Sequence, residues 1–417
     1  AAANSPSPFY LYKNIQHKPD YSPVSYDVNL YPSLAAELGT GMAVMWSRRP
    51  RVPGESFLPM MVRTIGSGSN GLGYYMYHGG TTPSVGNHFL SDGWGLNHKS
   101  YDYQAPIGEF GKAGSGFYGL KIMNYFLNHY GADLAPLYPV LPDGNDTIKS
   151  SNLQTLRYAV RSNGEKGYLF MHNYQDHLQA VDLTNQKIVV KTKTGMVSFP
   201  TEGTFDLKAG ASAIFPFNVE YDGFAIQMAT VQPYCRFVNH GRIYHVMISV
   251  DGIQPEILCR GKVNVSGNGF KKSNKAGNTL LQFIPNRICE LKTEKCNILI
   301  LPFKDALNAY LAGNNYSNLV ISNGVVLGEG KNLSLLTSRT DSTTLTVYPA
   351  IKQAVTSVGS LRKIPAELKS ISKWMLTLPD VQPAIQLTQA DDRHFVLKAP
   401  FADWTGLNDV YINFHYR

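Results

Sequence analysis

Tyrosines and small polar residues of the kinds that bind sugars follow a short apolar run early in the chain. The run is Tyr74-Tyr75-Met76-Tyr77, and its β-propensity predicts a short buried strand. Glycines at 79 and 80 end this strand, and a loop rich in Gly, Asn and Asp follows, with Trp94, Tyr101 and Tyr103. Aromatic rings beside amides and hydroxyls suit a sugar, because a sugar has apolar faces and a hydroxyl rim. Composition alone favours a simpler alternative, a buried strand with an irregular surface loop.

Glu37 is a carboxylate at the end of a second predicted strand, just before a loop, as the first predicted strand also ends in a loop. Residues 32–36 are small and mostly apolar, and Gly39 and Gly41 follow Glu37. A strand that ends in glycines and continues into a polar loop is typical of the ligand-facing rim of an α/β barrel. The pattern therefore predicts that Glu37 lies at such a rim.

Two helices alternate with these strands. Residues 56–65 form an apolar stripe behind Ser56, a candidate N-cap, and residues 115–130 form a stronger stripe that Gly131 is expected to end. The resulting order of strand, helix, strand and helix is typical of a barrel.

Beyond residue 134 the pattern changes to β-structure. Short apolar strands separated by Gly, Asn and Asp turns favour β-sandwich modules, and Asn163-Gly164 between two such strands predicts a hairpin. Residues 304–311 are a candidate helix, residues 350–385 a linker with a helix-like patch, and residues 395–397 and 410–414 further strands. We predict boundaries at 1–135 for the barrel portion, 136–348 for the β-sandwich region, and 349–417 for a linker and the start of a further jelly-roll-like β-domain.

Composition and charge exclude several classes of protein. Hydrophobic residues make up 43% and charged residues 16% of the 417 residues, which is typical of a globular protein with a large core. The net charge of +8 is dispersed without a basic run, so we expect no nucleic-acid partner, and no apolar stretch is long enough to predict a membrane span. The four cysteines lack metal-site spacing, so we expect no metal. Cys289 and Cys296 could form a disulfide across a hairpin or remain free thiols.

Two ordered motifs resemble the end of the catalytic barrel of glycoside hydrolase family 35, the β-galactosidases. The family has Tyr-Met-Phe-His-Gly-Gly-Thr and then Ser-Tyr-Asp-Tyr-Asp-Ala-Pro. Residues 75–81 and 100–106 match these motifs except for Tyr77 and Gln104. Segments 157–164 and 167–173 also resemble accessory modules of bacterial members. The resemblance implies the C-terminal strands and helices of a TIM barrel, followed by antiparallel β-sandwich domains.

The resemblance also implies a retaining exo-β-galactosidase that uses two carboxylates, acts on a β-galactoside glycan and needs no cofactor. The family nucleophile is a Glu at the end of the barrel strand before the Tyr-Met-Phe strand. Glu37 takes that place, 75 − 37 = 38 residues before Tyr75. Tyr75 and Tyr103 match tyrosines that contact the galactose or the nucleophile. Many members have Glu-x-Trp-x-Gly-Trp at the nucleophile, and this chain lacks those tryptophans, which Trp46 or Trp94 could replace.

The family's acid/base residue is the Glu of an Asn-Glu pair well upstream of the nucleophile. This chain contains no Asn-Glu pair, and 36 residues precede Glu37, whereas a complete barrel takes roughly 250 residues. We therefore expect a fragment that does not turn over substrate alone. The missing N-terminal barrel portion would come from the same or a separate polypeptide, and we expect the protein to be periplasmic or secreted. Two alternatives stay open: a non-catalytic carbohydrate-binding protein with a degenerate barrel, and the same machinery acting on another β-linked sugar such as glucosamine.

Overall fold

The structure is a computed structural model. It describes residues 5–18, 25–28, 30–42, 50–86, 88–89, 99–328, 330, 332–337, 342–357, 359–378, 386–389 and 395–398. In these ranges the helices are α1 (Phe57–Gly66), α2 (Ser115–Leu134) and α3 (Phe303–Leu307), with 3₁₀ turns at Pro8–Tyr10, Gly54–Ser56, Asn145–Thr147 and Asn314–Tyr316. No helix among the described residues is long and apolar enough to cross a membrane.

The strands of the described residues are short, and most of them pair in antiparallel sheets. In chain order they are β1 (Leu34–Leu38), β2 (Gly71–Tyr74), β3 (Gly80–Thr81), β4 (Ser84–Val85), β5 (His88–Phe89), β6 (Ser100–Tyr101), β7 (Tyr138–Val140), β8 (Arg157–Ser162), β9 (Gly167–His172), β10 (Leu183–Gln186), β11 (Ile188–Thr192), β12 (Gly195–Phe199), β13 (Phe205–Leu207), β14 (Ser212–Tyr221), β15 (Phe224–Ala229), β16 (Val231–Asn239), β17 (Arg242–Ser249), β18 (Glu256–Cys259), β19 (Ser266–Asn268), β20 (Phe270–Lys275), β21 (Asn278–Phe283), β22 (Cys289–Lys292), β23 (Cys296–Pro302), β24 (Ala309–Ala312), β25 (Asn318–Ser322), β26 (Val325–Leu327), β27 (Ser334–Leu336), β28 (Ser342–Tyr348), β29 (Ser360–Ile364), β30 (Ser372–Thr377), β31 (Gln386–Gln389) and β32 (Phe395–Lys398).

β1 and β2 lie side by side in parallel and are connected through α1, as the sequence predicts for neighbouring strands of a barrel. Gly73 permits this pairing, because a β-carbon there would lie 2.2 Å from the carbonyl oxygen of Ala36. The strand predicted over residues 74–77 is wrong in its position, since β2 ends at Tyr74. Just after β2, the Tyr75 amide makes one more hydrogen bond to β1, donating to the Leu38 carbonyl at 2.9 Å.

Both predicted helices form, but their ends differ from the prediction. Ser56 does not cap α1 with its side chain, because its hydroxyl donates back to the Pro53 carbonyl at 2.6 Å. Gly131 does not end α2, which continues to Leu134. Leu134 is 3% exposed and belongs to the main core, so tertiary packing outweighs the weak helix propensity of glycine.

The largest sheet has eight strands in the order β20-β21-β18-β15-β14-β9-β8-β7. The hairpin predicted at Asn163-Gly164 joins β8 to β9, with Gly164 in the left-handed region at φ +88°. α1 packs on this sheet, whereas α2 lies mainly against β16. The apolar stripes of both helices nevertheless share one core with the eight-stranded sheet. Gly66 of α1 lies so close to β9 that a β-carbon there would be 2.7 Å from the Phe170 side chain.

A second sheet of five strands has the order β16-β17-β23-β22-β19. The prediction that this region is antiparallel is wrong for β17 and β23, which pair in parallel. β23 is buried along its whole length, as expected for a parallel strand covered on both faces. The β22–β23 register pairs Cys289 with Ile300 rather than with Cys296, and all four cysteines are free thiols.

A third sheet, β24-β25-β28-β30-β29, contains part of the segment that we predicted to be a linker. The helix-like patch expected within residues 350–385 is instead β29 and β30. β30 forms a strand because it pairs antiparallel with β28 along its whole length. The candidate helix at 304–311 shortens to α3, and β24 follows it. β32 coincides with the predicted strand at 395–397, while residues 410–414 lie outside the described residues. The domain boundaries stay predictions.

We expect the buried His172 to make the folded state less stable in mild acid. Its side chain is fully buried, and its Nε2 lies 2.9 Å from the Tyr10 carbonyl oxygen. Burial, with a smaller contribution from the Arg157 charge, lowers the pKa of His172 to about 3. The unfolded chain, with a histidine pKa near 6.5, therefore binds a proton that the folded state rejects as pH falls below 6.5. We expect His172 to remove about 2 kcal/mol of unfolding free energy between pH 7.5 and pH 5.

Urea unfolding at both pH values measures this loss. His172→Gln should show a smaller fall than the wild type, although some fall persists because burial also lowers the pKa of His245, to about 4. His17→Gln, at an exposed position, should behave as the wild type does. An unchanged fall in the His172 variant would contradict the assignment.

Candidate active site

Glu37 lies at an exposed position near the end of β1, next to the buried Leu38. The backbone just after Glu37 is bonded to both predicted tyrosines. The Leu38 carbonyl accepts from the Tyr75 amide at 2.9 Å, and the Met42 amide donates to the Tyr103 carbonyl at 2.6 Å. Among the described residues no hydrogen bond or ion pair engages the Glu37 carboxylate, so it faces solvent as an open carboxylate.

Three tyrosines form a cluster beside this strand end, which we call the tyrosine cluster: Tyr75, Tyr101 and Tyr103. The rings of Tyr101 and Tyr103 stack with centroids 4.1 Å apart, and the ring of Tyr75 meets that of Tyr103 edge-on at 6.0 Å. The hydroxyls of Tyr75 and Tyr101 are hydrogen-bonded at 2.5 Å. Tyr75 is 39% exposed, so the cluster offers both a ring surface and phenol oxygens to solvent. Such a surface suits the apolar face and hydroxyl rim of a sugar.

The backbone that presents Tyr103 is held in an uncommon conformation. Tyr103 and Gln104 have φ values of +56° and +57°, in the left-handed region that side-chain-bearing residues rarely adopt. The Asp102 carboxylate secures the turn by accepting from the Gln104 amide at 3.2 Å and from the Glu109 amide at 2.8 Å. Backbone strain of this kind concentrates at functional sites and needs surrounding contacts to persist.

Gln104, where the family motif has Asp, ties this turn to a distant segment. Its Nε2 donates to the Pro50 carbonyl at 2.8 Å, and its Oε1 accepts from the Val52 amide at 3.1 Å. An amide can do both because it carries a donor and an acceptor, whereas an ionised Asp only accepts. Gln104 therefore anchors the loop to residues 50–52 through both its donor and its acceptor.

Two half-buried phenols, those of Tyr74 and Tyr77, lie beside Tyr75 in the chain. The Tyr74 hydroxyl donates to the Asn124 side chain of α2 at 2.6 Å, and the ring of Tyr74 lies 5.3 Å from that of Tyr77. Burial raises the pKa of both phenols, so they remain protonated and act as neutral donors. The Nδ1 atom of His78 is hydrogen-bonded to the carbonyl oxygen of the next residue, Gly79.

The structure thus brings Tyr75 and Tyr103 together and bonds the backbone after Glu37 to both, while the catalytic roles of all three stay predictions. Trp46 and Trp94, the proposed replacements for the family tryptophans, lie outside the described residues. The sequence indicates Tyr101 as an aromatic residue of the loop without predicting it as a site residue, although its spacing of two residues from Tyr103 within Ser-Tyr-Asp-Tyr is a usable signal. The described residues contain no group of three or more His, Cys, Asp or Glu side chains placed to hold a metal.

Substitution of Gly41 tests how sensitive the tyrosine cluster is to the position of the Tyr103 backbone. A β-carbon at Gly41 would lie 2.5 Å from the Tyr103 carbonyl oxygen, whereas a β-carbon at Gly39 would meet nothing within 4 Å. Gly41→Ala should therefore displace Tyr103 and lower kcat/KM by roughly 10- to 100-fold, as expected for a misplacement of about 1 Å in an active site. Gly39→Ala should stay near wild type. Equal kinetic effects of the two variants would argue against a role for the Tyr103 position.

The family model of Glycosyl hydrolases family 35 matches residues 9–126. This segment includes β1, α1, β2, the tyrosine cluster and most of α2, so it contains every residue that the sequence predicts for the site. This match supports the assignment of residues 9–126 to glycosyl hydrolase family 35.

Proposed function

We propose that this chain is part of a retaining exo-glycosidase that releases terminal β-D-galactose from glycans, with Glu37 as the nucleophile. The observation that carries the proposal is the link between an open carboxylate at the end of β1 and the tyrosine cluster beside it. Tyr75 and Tyr103 reach this strand end through the two backbone hydrogen bonds that follow Glu37. Membership of a glycosidase family supports hydrolysis as the reaction.

In this mechanism the ionised Glu37 attacks the anomeric carbon from the face opposite the leaving group and forms a glycosyl-enzyme, which water then hydrolyses. The cluster would orient the sugar, because the rings offer an apolar surface and the phenols offer hydrogen bonds. Tyr75 and Tyr103 are therefore the proposed substrate-binding residues, and Tyr101 would fix the Tyr75 hydroxyl through its hydrogen bond.

We further propose that β1, α1, β2 and α2 are the last strand–helix units of a (β/α)₈ barrel and that the following sheets form β-sandwich domains. Among the described residues, β1 pairs only with β2, and Leu34 on β1 is 65% exposed. An unpaired strand edge with exposed apolar side chains is a typical site for further pairing. A barrel strand of the same or a separate polypeptide would pair there. It would belong to the segment that also supplies the acid/base Glu, since this chain contains no Asn-Glu pair.

Covalent trapping tests the proposal. The protein that contains this chain, together with the segment that supplies the acid/base, is incubated with a 2-deoxy-2-fluoro-galactoside and digested for peptide mass spectrometry. The label should lie on the peptide containing Glu37, and Glu37→Gln should prevent labelling. A label on another carboxylate would remove Glu37 from the nucleophile role.

Two alternatives have their own supporting observations. The absence of an Asn-Glu pair favours a non-catalytic carbohydrate-binding protein, for which a galactoside should bind without accumulating label or product. The absence of the family's tryptophans after Glu37 favours a different β-linked sugar, such as a glucosaminide. In that case a 5-fluoro-glucosaminide, which keeps the 2-amino group, should label Glu37 faster than the matching 5-fluoro-galactoside does.

A further inference from the structure

Phe110 is 81% exposed, more than any other aromatic side chain that the structure describes. It lies in a tight turn at residues 108–111, where the Gly108 amide donates to the Lys112 carbonyl at 2.8 Å and the Gly111 amide donates to the Gly108 carbonyl at 2.9 Å. A single exposed apolar side chain is common on protein surfaces. The contacts of the turn therefore decide whether the exposure of this ring has a function.

The Asp102 carboxylate joins this turn to the tyrosine cluster. Its Oδ1 accepts from the Glu109 amide at 2.8 Å, and its Oδ2 accepts from the Gln104 amide at 3.2 Å. The first bond holds the residue before Phe110, and the second holds the residue after Tyr103. One carboxylate therefore fixes the position of the Phe110 turn relative to the tyrosine cluster.

The turn is also held against β3 and the residue before it. The Gly79 amide donates to the Ile107 carbonyl at 2.8 Å, and the Thr81 hydroxyl donates to the Glu109 carboxylate. A β-carbon at Gly79 would lie 2.9 Å from the Glu109 amide nitrogen, so the glycine permits this close contact. The backbone that carries Phe110 is therefore anchored on two sides, although the ring itself is exposed.

The order of these contacts favours a position for Phe110 outside the residues proposed to hold galactose. Tyr75 and Tyr103 are bonded to the strand end that carries Glu37, whereas Phe110 is connected to Tyr103 through Asp102. An exo-acting glycosidase binds the terminal sugar innermost and leaves the rest of the substrate towards solvent, where an exposed ring can contact it. Aromatic side chains suit such sites because their faces pack on the apolar faces of ring-shaped ligands.

We propose that Phe110 is a specificity-determining residue that supports the aglycone, the group that hydrolysis separates from galactose. This inference rests on the proposed function and deepens it by naming a substrate class. The ring of Phe110 packs on a sugar or aryl ring of the aglycone, so substrates with a ring-shaped aglycone are preferred to those with a small alkyl group. Phe110 takes no part in the bond between Glu37 and the anomeric carbon.

A pair of substrates tests the kinetic consequence, because an enzyme discriminates between substrates by the ratio of their kcat/KM values. In the protein with its acid/base segment, Phe110→Ala should lower kcat/KM for β-1,4-galactobiose by roughly 3- to 10-fold, the size expected for one lost ring contact. The loss should lie mainly in KM. Methyl β-galactoside should be hydrolysed as by the wild type. Phe110→Tyr keeps the ring and should restore the preference, and Met196→Ala, which removes a 65% exposed side chain on β12, should leave both substrates unaffected.

Binding of ligands that are not cleaved separates this proposal from the proposed hydrolysis. Titration calorimetry with phenyl and methyl β-thiogalactoside, whose sulfur linkage resists hydrolysis, measures the aglycone contact without the chemistry of Glu37. Phe110→Ala should weaken binding of the phenyl ligand by the same factor and leave the methyl ligand unchanged. This difference should persist in a Glu37→Gln background, so it supports the role of Phe110 even where covalent trapping removes Glu37 from the nucleophile role. Equal losses for both ligands, expected if Phe110 instead contacts the missing barrel portion, or no loss for either, would overturn the proposal.

Discussion

Replacing Glu37 with Gln is expected to lower kcat for galactoside hydrolysis by three to six orders of magnitude, on the order of 4–8 kcal/mol in the activation barrier. The amide keeps the shape of the side chain but lacks the negative charge that attacks the anomeric carbon. Steady-state kinetics of the protein with its acid/base segment present would measure the loss. Because Glu37 is exposed, folding should be unaffected, and the unfolding midpoint should match that of the wild type.

Two comparison variants make the Glu37 result interpretable. Tyr103→Phe should cost much less, on the order of 1–3 kcal/mol, because it deletes one hydrogen-bonding hydroxyl and keeps the stack on Tyr101. Glu55→Gln removes a carboxylate at an exposed position in the 3₁₀ turn before α1 and should be kinetically silent. A Glu37→Gln variant that retains more than about a tenth of wild-type kcat, a barrier change below about 1.4 kcal/mol, would exclude Glu37 as the nucleophile.

Replacing Arg161 with Met is expected to give the largest loss of stability, on the order of 3–5 kcal/mol. The guanidinium of Arg161 is buried in β8 at 1% exposure. It donates to the carbonyls of Leu137 at 2.7 Å, Ile65 at 2.9 Å, Ser69 at 3.0 Å and Leu134 at 3.3 Å. Burial lowers its pKa to about 10, so it stays charged at neutral pH.

The physical reason for this loss is that one side chain supplies donors to buried carbonyls just after both long helices. Ser69 follows α1 and Leu137 follows α2, and Met fills the space but removes the guanidinium donors of these two carbonyls. Each unsatisfied group costs about 1–3 kcal/mol. The Ile65 and Leu134 carbonyls keep the Gly68 and Leu137 amides as donors, each at 3.0 Å, but lose the cation that the helix dipole favours there.

Urea unfolding of a graded set of variants measures the effect. Arg161→Lys should be intermediate, because an ammonium keeps the charge but has three donors in place of the guanidinium fork. Arg260→Met, at an exposed position, should stay within about 0.5 kcal/mol of wild type. A change of less than about 1 kcal/mol in Arg161→Met would show that the Ser69 and Leu137 carbonyls find other donors.

Local features of the sequence determined much of the secondary structure. The apolar stripes at 56–65 and 115–130 predicted α1 and α2, because helical periodicity is a property of neighbouring residues. Asn163-Gly164 predicted the β8–β9 hairpin, because its turn needs a left-handed residue that Gly supplies at φ +88°. The motifs at 75–81 and 100–106 predicted a resemblance to this family, which the family match over residues 9–126 confirms.

Tertiary contacts decided what these local patterns could not. Arg161 bonds to Ile65 across 96 residues, and Tyr75 bonds to Tyr101 across 26 residues, so neither contact leaves a periodic signal. The parallel pairing of β17 with β23 and the end of α2 at Leu134 rather than before Gly131 also depend on which distant surfaces become buried together. A sequence pattern reports the preference of each segment, whereas register, helix ends and side-chain clusters follow from the lowest free energy of the whole packed core.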